Sequence, residues 1–413
     1  MKKTMFALTA ALALSAALLL GGCAGASAQS VENPDTDIIS TSTGNQTSSA
    51  AASSTSADSE LFTARDLAQT ADLSEATTIT VSDGETTTIT EAGVYVLTGS
   101  AENACVIVQA GDDDKVQLVL DGVSIVNAHE PCILVENADK VFLTSASGSE
   151  NSLTVSGKFT GDEDAVIFSR DDLVLNGLGA VTVSSTGDGI RTNDDLKLTG
   201  GTWIVNASGT ALKAHDSISA CGGVFELTAG SDGLHAEDND DDTTGSIVFE
   251  GGSFTVKVGD DGIHATTTAT VNGGTLDITA AEGIEATQVI IGGGTIGINA
   301  SDDGINAGRK SSALGVKIEI TGGEITIVMG AGDTDGIDSN GDLIITGGTI
   351  DVTAQSPFDY DGSCTHTGGT LIVNGTETDT VTNQFGGQMG GMPGGRMGGA
   401  RGGMQGGFGG KRA

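Results

Sequence analysis

One phrase of residues recurs through the second half of this chain at a nearly fixed interval. An acidic residue is followed by Gly-Ile or Gly-Leu, and in most repeats a Gly-Gly pair follows about a dozen positions later. Most successive Gly-Gly pairs lie 20 to 25 residues apart. Such a period predicts a solenoid, in which each unit buries its apolar face only against its neighbours. The acidic phrase begins at Asp188, Asp232, Asp261, Glu282, Asp303 and Asp335, and one repeat reads Thr210-Ala211-Leu212 instead.

Apolar residues alternate with other residues in three short runs of each repeat. Examples are Leu196/Leu198 before a Gly-Gly pair, Trp203/Val205 after it, and Ile190/Thr192 in the acidic phrase. A period of two is typical of a strand with one buried face. Three short strands in about 21 to 22 residues predict an all-β parallel β-helix. The aromatic residues Trp203, Phe225 and Phe254 fall at inward positions and are predicted to be core.

Three other segments depart from the regular repeat. Residues 237–245 and 308–315 are insertions that lengthen two coils, and insertions in a solenoid form loops on one face, where binding tends to occur. Residues 61–73 are predicted to be a helix or an edge cover that caps the first coil, a need that solenoids have.

The first residues of the chain have the pattern of a secretory signal. Lys2-Lys3 precede an apolar run over residues 5–20, and Leu20-Gly21-Gly22-Cys23 follows. This pattern predicts a lipoprotein signal peptide over residues 1–22, with Cys23 as the lipidated first mature residue. A plain transmembrane helix is the alternative. We therefore expect an extracellular protein that meets the bacterial cell membrane only through its lipid anchor.

The remaining chain divides into three parts. Residues 23–59 are rich in Ser and Thr and too poor in large apolar groups to fold, so they predict a flexible tether. Residues 60–384 carry the β-helix, and residues 385–413 form a Gly/Met-rich basic tail predicted to be flexible. The net charge of −37 becomes −39 without Lys2 and Lys3, and such a negative charge disfavours nucleic acid as a partner. We expect a monomer.

The acidic residues of the repeat are predicted to form a row along one edge. Equivalent positions of adjacent coils lie roughly 4.8 Å apart, so the carboxylates repel one another unless their pKa values rise, they cap turn amides, or a cation bridges them. Calcium suits such oxygen ligands, and the length of the row has room for several ions. Zinc is disfavoured, because no cysteine joins His215, His235 and His264 in a ligand-like spacing. The predicted ligands are Asp188, Asp232, Asp260, Asp261, Glu282, Asp302, Asp303, Asp333 and Asp335. The alternative is that each aspartate hydrogen-bonds its own turn.

A second row is predicted to point outward from the same strands. It changes from basic to acidic along the axis and contains Arg191, Lys213, His235, His264, Glu285, Asn306 and Asp338. Pectate lyases combine a parallel β-helix, calcium-binding acids and a basic residue that removes a proton from the substrate. Arg191 or Lys213 could supply such a base in a polysaccharide lyase. The alternative is that both are solvated members of the strand face.

Two further sets of residues bear on stability and binding. Cys105 and Cys132 are predicted to stack on adjacent coils, either as a disulfide or as two free core thiols. Cys364 and His366 are predicted to be core. Because no aromatic residues line up on the surface, a sugar-binding face would use polar ladders or bound calcium. The polar ladder residues are Thr202, Ser253, Thr255, Thr275, Asp277, Thr295, Thr326 and Thr349.

Several phrases in the same order resemble the bacterial carbohydrate-binding domain family of secreted β-helix proteins. They begin at Phe62, Asp114, Ala138 and Ile167, and the resemblance covers roughly residues 60–413. It implies a right-handed parallel β-helix with bound calcium that adheres to plant cell-wall polysaccharides, such as cellulose and pectin, without established catalysis. The calcium ligands that it implies are Asp188, Asp232, Asp261, Asp303 and Asp335. A polysaccharide (pectate) lyase and a structural adhesin or wall spacer remain as alternatives.

Overall fold

The computed structural model describes residues 61–331 and 334–383. The predicted signal peptide (1–22), Cys23, the tether (23–59), the tail (385–413) and Asp333 lie outside the described residues. Within these ranges there is no helix long and apolar enough to cross a membrane.

The described residues form β-strands and no helix. In chain order the strands are β1 (Thr77–Thr80), β2 (Thr86–Ile89), β3 (Gly93–Glu102), β4 (Cys105–Gln109), β5 (Lys115–Asn127), β6 (Ile133–Asn137), β7 (Lys140–Ser145), β8 (Glu150–Val155), β9 (Ala165–Ser169), β10 (Asp172–Gly177), β11 (Ala180–Ser185), β12 (Asp188–Thr192), β13 (Leu196–Leu198), β14 (Thr202–Ala207), β15 (Leu212–Ala214), β16 (Ser217–Ala220), β17 (Val224–Ala229), β18 (Leu234–Ala236), β19 (Ser246–Phe249), β20 (Ser253–Val258), β21 (Asp261–Val271), β22 (Thr275–Ala280), β23 (Glu282–Ile291), β24 (Thr295–Ala300), β25 (Asp303–Ala307), β26 (Lys317–Ile320), β27 (Glu324–Met329), β28 (Asp335–Ser339), β29 (Asp342–Ile345), β30 (Thr349–Thr353), β31 (Ser356–Tyr360), β32 (Cys364–His366), β33 (Thr370–Val373) and β34 (Thr376–Thr378).

The strands pair in parallel with the equivalent strands of the next coil, which produces three ladders, except that β34 pairs antiparallel with β33. Ladder A contains the acidic phrase and includes β12, β15 and β18, with Ile190 opposite Leu212 and Leu212 opposite Leu234. Ladder B precedes the Gly-Gly pairs and includes β10, β13 and β16. Ladder C follows those pairs and includes β11, β14 and β17. The predicted all-β stack of parallel coils, with three strands in each regular coil, is therefore confirmed.

The inward side chains of the three ladders form one continuous core. Trp203, Phe225 and Phe254 are at most 1 % exposed, as predicted. Phe225 and Phe254 stack at a centroid distance of 4.8 Å on adjacent coils, and the Phe249 ring meets Phe254 edge-on at 5.0 Å. Aromatic pairs in these arrangements stabilise a core beyond the area that they bury.

Glycines of the two repeated phrases have different physical roles. The second glycine of each Gly-Gly pair turns the corner with positive φ, for example +81° at Gly201 and +95° at Gly252. The glycine of the acidic phrase instead allows two coils to approach. A Cβ at Gly262 would lie 2.4 Å from Cγ2 of Ile278 and 2.6 Å from the carbonyl oxygen of Gly283. The acidic phrase therefore needs glycine for space between coils.

Replacing Gly262 with alanine should lower the free energy of unfolding by about 1–3 kcal/mol, because the added methyl group overpacks the contact with the next coil. Urea denaturation followed by circular dichroism measures this change. Gly315→Ala is the matched control, since a Cβ there meets no atom within 4 Å. Equal stabilities of the two variants would contradict the close-approach explanation.

The prediction for residues 61–73 is wrong in position as well as in structure. Residues 61–69, named here the strap, contain turns and lie across the outer face of ladder B. The buried carboxylate of Asp66 lies 3.6 Å from Nζ of both Lys140 and Lys197. Thr199 Oγ1 donates a hydrogen bond to the carbonyl oxygen of Asp66 (2.5 Å), and the Arg65 guanidinium lies 4.4 Å from the Phe142 ring centroid. These partners on the side of the solenoid hold the strap away from the first coil.

The two insertions occupy the same corner of the solenoid. Residues 237–245 lie between β18 and β19, and residues 308–316 lie between β25 and β26, so both follow ladder A and precede ladder B. The amide of Ser312 donates a hydrogen bond to Oδ2 of Asp242 (2.8 Å), across 70 residues of sequence. The prediction that both insertions lie on one face is confirmed. Together they form a continuous loop surface beside the outward row.

Candidate functional site

The acidic residues of the repeat lie at the start of ladder A strands, except Asp232, which lies two residues before β18. Asp261 is opposite Glu282, and Asp303 is opposite Asp335. Asp188 and Asp232 begin the phrase in two earlier coils. Thr210 begins it in the coil between them, where its amide donates a hydrogen bond to Asp188 and its hydroxyl donates one to Asp232. Asp260 and Asp302, which precede the row, are exposed at the corner.

Three members of the acidic row cap backbone amides of the following coil. Asp188 Oδ1 accepts a hydrogen bond from the amide of Thr210 (2.8 Å), and Asp232 Oδ1 accepts one from the amide of Asp261 (3.1 Å). Asp303 Oδ1 accepts one from the amide of Asp335 (3.3 Å). The bonds therefore join adjacent coils, whereas the sequence alternative had placed each bond within the aspartate's own turn. One carboxylate oxygen of each residue has a structural role.

Two histidines of the outward row, His235 and His264, form what we call the histidine pair. Their rings stack on adjacent coils with centroids 4.5 Å apart and an interplanar angle of 4°. Nδ1 of His235 lies 2.8 Å from Asp232 Oδ2, and Nδ1 of His264 lies 2.6 Å from Asp261 Oδ2. The same Asp-Gly-x-His arrangement is thus built twice. Nε2 of His235 lies 3.0 Å from Glu237 Oε2, on the first residue of an insertion.

The ionisable groups around the histidine pair interact strongly with one another. Burial alone disfavours the charged form of His264, but hydrogen bonds to Asp261 and Glu285 outweigh it and raise the pKa of His264 to about 9. Glu285 also meets Lys310 at 2.7 Å. Burial raises the pKa of Glu285, but its bonds to His264 and Lys310 lower it to about 2. The cluster therefore holds charged groups in fixed positions beside the insertions.

The later coils of the acidic row and the outward row together form an oxygen-rich region, in which the pKa values of several carboxyl groups are raised. Burial and neighbouring carboxylates raise the pKa of Glu282 to about 7, of Asp303 to about 6 and of Asp338 to about 7. Asn306 donates to Glu282 Oε2 through Nδ2 (3.0 Å), while its buried Oδ1 has no hydrogen-bond partner. Carboxylate and amide oxygens are the donors that calcium prefers, so this region fits calcium.

In the described ranges, three sets of residues place three ligand atoms within 4.8 Å of one another. The first is His235, Glu237 and His264; the second is Asp261, His264 and Glu285. The third, Asp172, Asp194 and Asp195, contains only oxygen donors. Burial and nearby carboxylates raise the pKa of Asp194 to about 6. The third set was not among the ligands predicted from the sequence, and the spacing of the histidines had disfavoured zinc.

The predicted outward row is confirmed by the strand register. Arg191 lies opposite Lys213, Lys213 opposite His235, and the row continues through His264, Glu285, Asn306 and Asp338. Arg191 is held by an ion pair with Asp164 (2.9 Å) and lies 5.4 Å from the Phe168 ring centroid. These contacts give Arg191 a structural role that the sequence could not show.

Cys105, Cys132 and Cys364 are free thiols in the part of the chain that the structure describes. Cys105 and Cys132 are buried, and burial raises the pKa of each thiol to about 12. Of the two alternatives for this pair, the structure has free core thiols. Cys364 and His366 are only half-buried, because β32 lies near the end of ladder B, so their prediction as core was too strong.

Ladder C presents a flat row of hydroxyl groups to solvent. Ser253, Thr275 and Thr295 are exposed neighbours in register on β20, β22 and β24. The same row extends to Thr202 in one direction and to Thr349 and Thr370 in the other, with Val224 and Glu324 interrupting it. The large hydrophobic side chains that are exposed in the described residues are aliphatic. A ligand of this face would therefore meet hydroxyl groups.

The fold and these surfaces define an all-β repeat protein with an extended polar face and an acidic edge, a class suited to binding long ligands. A family model for carbohydrate-binding domain-containing proteins matches residues 83–334, and the chain belongs to that family. It shares 38 % identity over 121 residues with a carbohydrate-binding domain-containing protein of Acetivibrio thermocellus. This alignment covers 27 % of the present chain and 42 % of the relative, less than half of the relative's length.

Among solved structures, the chain is similar to the polysaccharide lyase-like protein from C. thermocellum, determined as a gadolinium derivative. The TM-score is 0.43 at 23 % identity, and the superposition covers 72 % of this chain and 96 % of that chain.

Proposed function

We propose that this protein binds polysaccharide without catalysis, assisted by calcium, at the bacterial cell surface. The observation that carries the proposal is the exposed hydroxyl row of ladder C, in a chain that belongs to a carbohydrate-binding family. The polysaccharides proposed are of plant cell-wall type, such as pectin, polygalacturonate or cellulose. A structural adhesin or wall spacer would show no sugar selectivity.

The hydroxyl row suits a polymer because it repeats with the coils. Strands in a sheet are about 4.7–4.9 Å apart, so successive hydroxyl groups occur at a constant spacing along a flat surface. Each hydroxyl can donate one hydrogen bond and accept others, which matches the donor and acceptor groups of sugars. Many weak bonds along one direction then add up over a long chain, whereas a single sugar would gain little.

Replacing both Thr275 and Thr295 with alanine should weaken binding to insoluble or gel-embedded polysaccharide by about tenfold, since two hydrogen bonds of roughly 0.5–1.5 kcal/mol each are lost. Affinity electrophoresis or pull-down measures the change. Thr270→Ala, on the outward side of ladder B, is the matched control. Retention of full affinity by the double variant would remove ladder C from the binding face.

Calcium is proposed because the protein body is too acidic to approach an anionic polymer unaided. The oxygen-rich region contains Glu282, Asp303, Asp335 and Asp338, with Asn306 beside them. The corner set of Asp172, Asp194 and Asp195 also consists of oxygen donors. Calcium bound at either place would offset the protein's charge and could take a uronate carboxylate as a further ligand.

Without calcium, the stability of the protein should fall as the pH rises from about 5 to 8. The reason is that the pKa of Glu282 is about 7 in the folded state against a usual 4.5, and that of Asp338 is about 7 against 3.8, so between these values the folded state holds more protons. Millimolar calcium should raise the melting temperature at pH 8 by mass action. Thermal melts at both pH values, in chelator and in calcium, test this.

Glu282→Gln combined with Asp338→Asn supplies the control for the pH and calcium measurements. This variant should be more stable than the wild type at pH 8 in chelator, and it should lose the calcium shift of this region. If calcium shifts no melting temperature in the wild type, the acids are only structural caps. A shift that survives in this variant but disappears in Asp194→Asn would assign calcium to the corner set.

A polysaccharide (pectate) lyase is the alternative, with Arg191 or Lys213 as the base beside Asp188 and Asp232. The observation that favours it is the register of Arg191 with Lys213 on the acidic edge. The ion pair of Arg191 with Asp164 favours binding without catalysis. Incubation with polygalacturonate and calcium discriminates: unsaturated products that absorb in the ultraviolet, and that disappear in Lys213→Ala, would establish the lyase.

Two further parts of the proposal concern the location and the hand of the fold. The protein is proposed to be extracellular, monomeric and anchored through lipid on Cys23, so Cys23→Ser should release it from the membrane fraction. The coils are proposed to wind in the right-handed sense, as crossovers between parallel strands almost always do. A crystal structure with left-handed coils would overturn that part alone.

A further inference from the structure

In the described residues, the histidine pair belongs to a cluster of ligand atoms that strand pairing and hydrogen bonds hold in place. His235 and His264 stand side by side in register on β18 and β21. Their side chains are 11 % and 13 % exposed, so they are shielded without being sealed from solvent. Solvent and small ions can therefore reach the cluster, and the two strands fix the positions of its histidines.

A carboxylate orients each imidazole through the same ring nitrogen. Asp232 accepts at Nδ1 of His235, and Asp261 accepts at Nδ1 of His264. Asp232 is anchored in turn by the amide of Asp261. A carboxylate on one nitrogen fixes the tautomer and leaves the other nitrogen to bind a metal, which is the usual second shell of a histidine ligand. Two adjacent coils supply this arrangement.

The insertion after β18 supplies a third ligand. Glu237, the first residue of that insertion, places Oε2 3.0 Å from Nε2 of His235. One ligand atom each from His235, Glu237 and His264 lies within 4.8 Å of the other two. The Glu237 side chain is 38 % exposed, so its rotamer can adjust to an ion. Glu237 directly follows Ala236 of β18, whereas Thr266 follows the paired Ala265 of β21 in the next coil.

We propose that His235, Glu237 and His264 bind a divalent transition-metal ion of the zinc class, with Asp232 and Asp261 as positioning residues. Two imidazoles and one carboxylate form a ligand set that leaves a coordination position for water or another ligand. Nitrogen donors favour zinc, copper or nickel, whereas calcium prefers oxygen alone. The site is therefore distinct from the calcium regions and stands independently of polysaccharide binding.

Ligand distances and charge are both compatible with an ion. Zinc lies about 2.0–2.2 Å from nitrogen and oxygen ligands, so the three side chains must draw together from their present separation by rotamer changes. Four carboxylates, on Asp232, Glu237, Asp261 and Glu285, surround the pair, and Lys310 is the cation that contacts Glu285. A divalent ion would offset the excess negative charge.

Simple ion pairing of protonated histidines is the competing explanation. Both ring nitrogens of His235 face carboxylates, at 2.8 Å and 3.0 Å, as an imidazolium would require. A metal ion would replace the proton between Nε2 and Glu237. The two explanations differ in one measurable property, because only a metal site would bind zinc tightly enough to resist millimolar calcium.

The test uses the full chain expressed without a histidine tag and stripped with chelator. Zinc titration by calorimetry should show one tight site per chain, and cobalt bound there should give a visible absorption spectrum that zinc abolishes and calcium leaves unchanged. Glu237→Gln, on the partly exposed insertion, should weaken zinc binding more than tenfold. Asp232→Asn should weaken it about 10–100-fold through lost positioning. His264→Ala should abolish it.

His129→Ala is the matched control, since His129 is exposed and lies on another coil. It should bind zinc like the wild type. Melting temperatures in chelator show whether each variant is folded, and Glu237→Gln keeps the test valid if a histidine variant unfolds. Zinc binding that is absent from the wild type, that calcium displaces at equal concentration, or that persists unchanged in Glu237→Gln and His264→Ala would overturn the proposal.

Discussion

Phe254→Ala should lower the free energy of unfolding by about 3–5 kcal/mol, the range for removing a large buried aromatic side chain. Phe254 is 1 % exposed and contacts both the Phe225 ring and the Phe249 ring. Its removal opens a cavity between two coils and breaks one stacked pair and one edge-on pair. Each coil of a solenoid is stabilised only by its neighbours, so nothing farther away can compensate.

Phe254→Leu is the matched control, because it keeps most of the buried apolar volume and loses only the aromatic geometry. Urea denaturation of both variants, with strand content and intrinsic fluorescence as separate probes, measures the difference. Trp203 lies two ladder C pairings away from Phe254 and reports on the local coils. A cost for the alanine variant below that of the leucine variant would contradict the packing explanation.

Asp66→Ala should also destabilise the protein by about 3–5 kcal/mol, because it leaves the largely buried Lys197 without its anion and removes one of the two anions beside Lys140. Asp66 is fully buried, and its carboxylate lies 3.6 Å from Nζ of both Lys140 and Lys197. Lys140 retains Asp172 as a partner at 3.1 Å, whereas Lys197 depends on the strap. The variant should release the strap, which proteolysis between residues 61 and 76 would detect.

Asp72→Ala is the control for the strap, since Asp72 is exposed and accepts a hydrogen bond from the nearby amide of Ser74. It should leave both the melting temperature and the protease resistance unchanged. Asp66→Asn separates charge from shape: a stability close to that of Asp66→Ala assigns the effect to the ion pairs. Wild-type stability in both Asp66 variants would mean that the strap contributes little.

The regular part of the fold could be predicted because its information is local. Alternation identifies the inward side chains, and the repeat period sets which residues become neighbours, so the outward row from Arg191 to Asp338 follows from counting. The same counting placed Trp203 and Phe254 in the core. Periodicity predicts the same contacts in every coil. It therefore cannot predict contacts between residues that do not occupy equivalent positions of the repeat.

The strap and the histidine pair are such contacts. Asp66 meets Lys197 across 131 positions, and nothing in the strap repeats to indicate the register. His235 and His264 are 29 residues apart because an insertion separates them, and Glu237, the first residue of that insertion, lies 3.0 Å from Nε2 of His235. The available signal was the spacing Asp-Gly-x-His in two successive coils, which predicts an oriented imidazole in each. Its meaning depended on knowing that the rings stack.

The position of the strap has a mechanical consequence. If the chain is held from its N-terminal side, as a surface anchor would hold it, tension passes through residues 61–69 before it reaches β1. Those residues grip β7 and β13, well inside the stack, through Lys140, Lys197 and Thr199. A force on the N-terminal side would therefore act on several of these contacts at the same time, on the side of the solenoid, instead of detaching the first coil from the end of the stack. Under such a load the strap would bear the force before the terminal coils do.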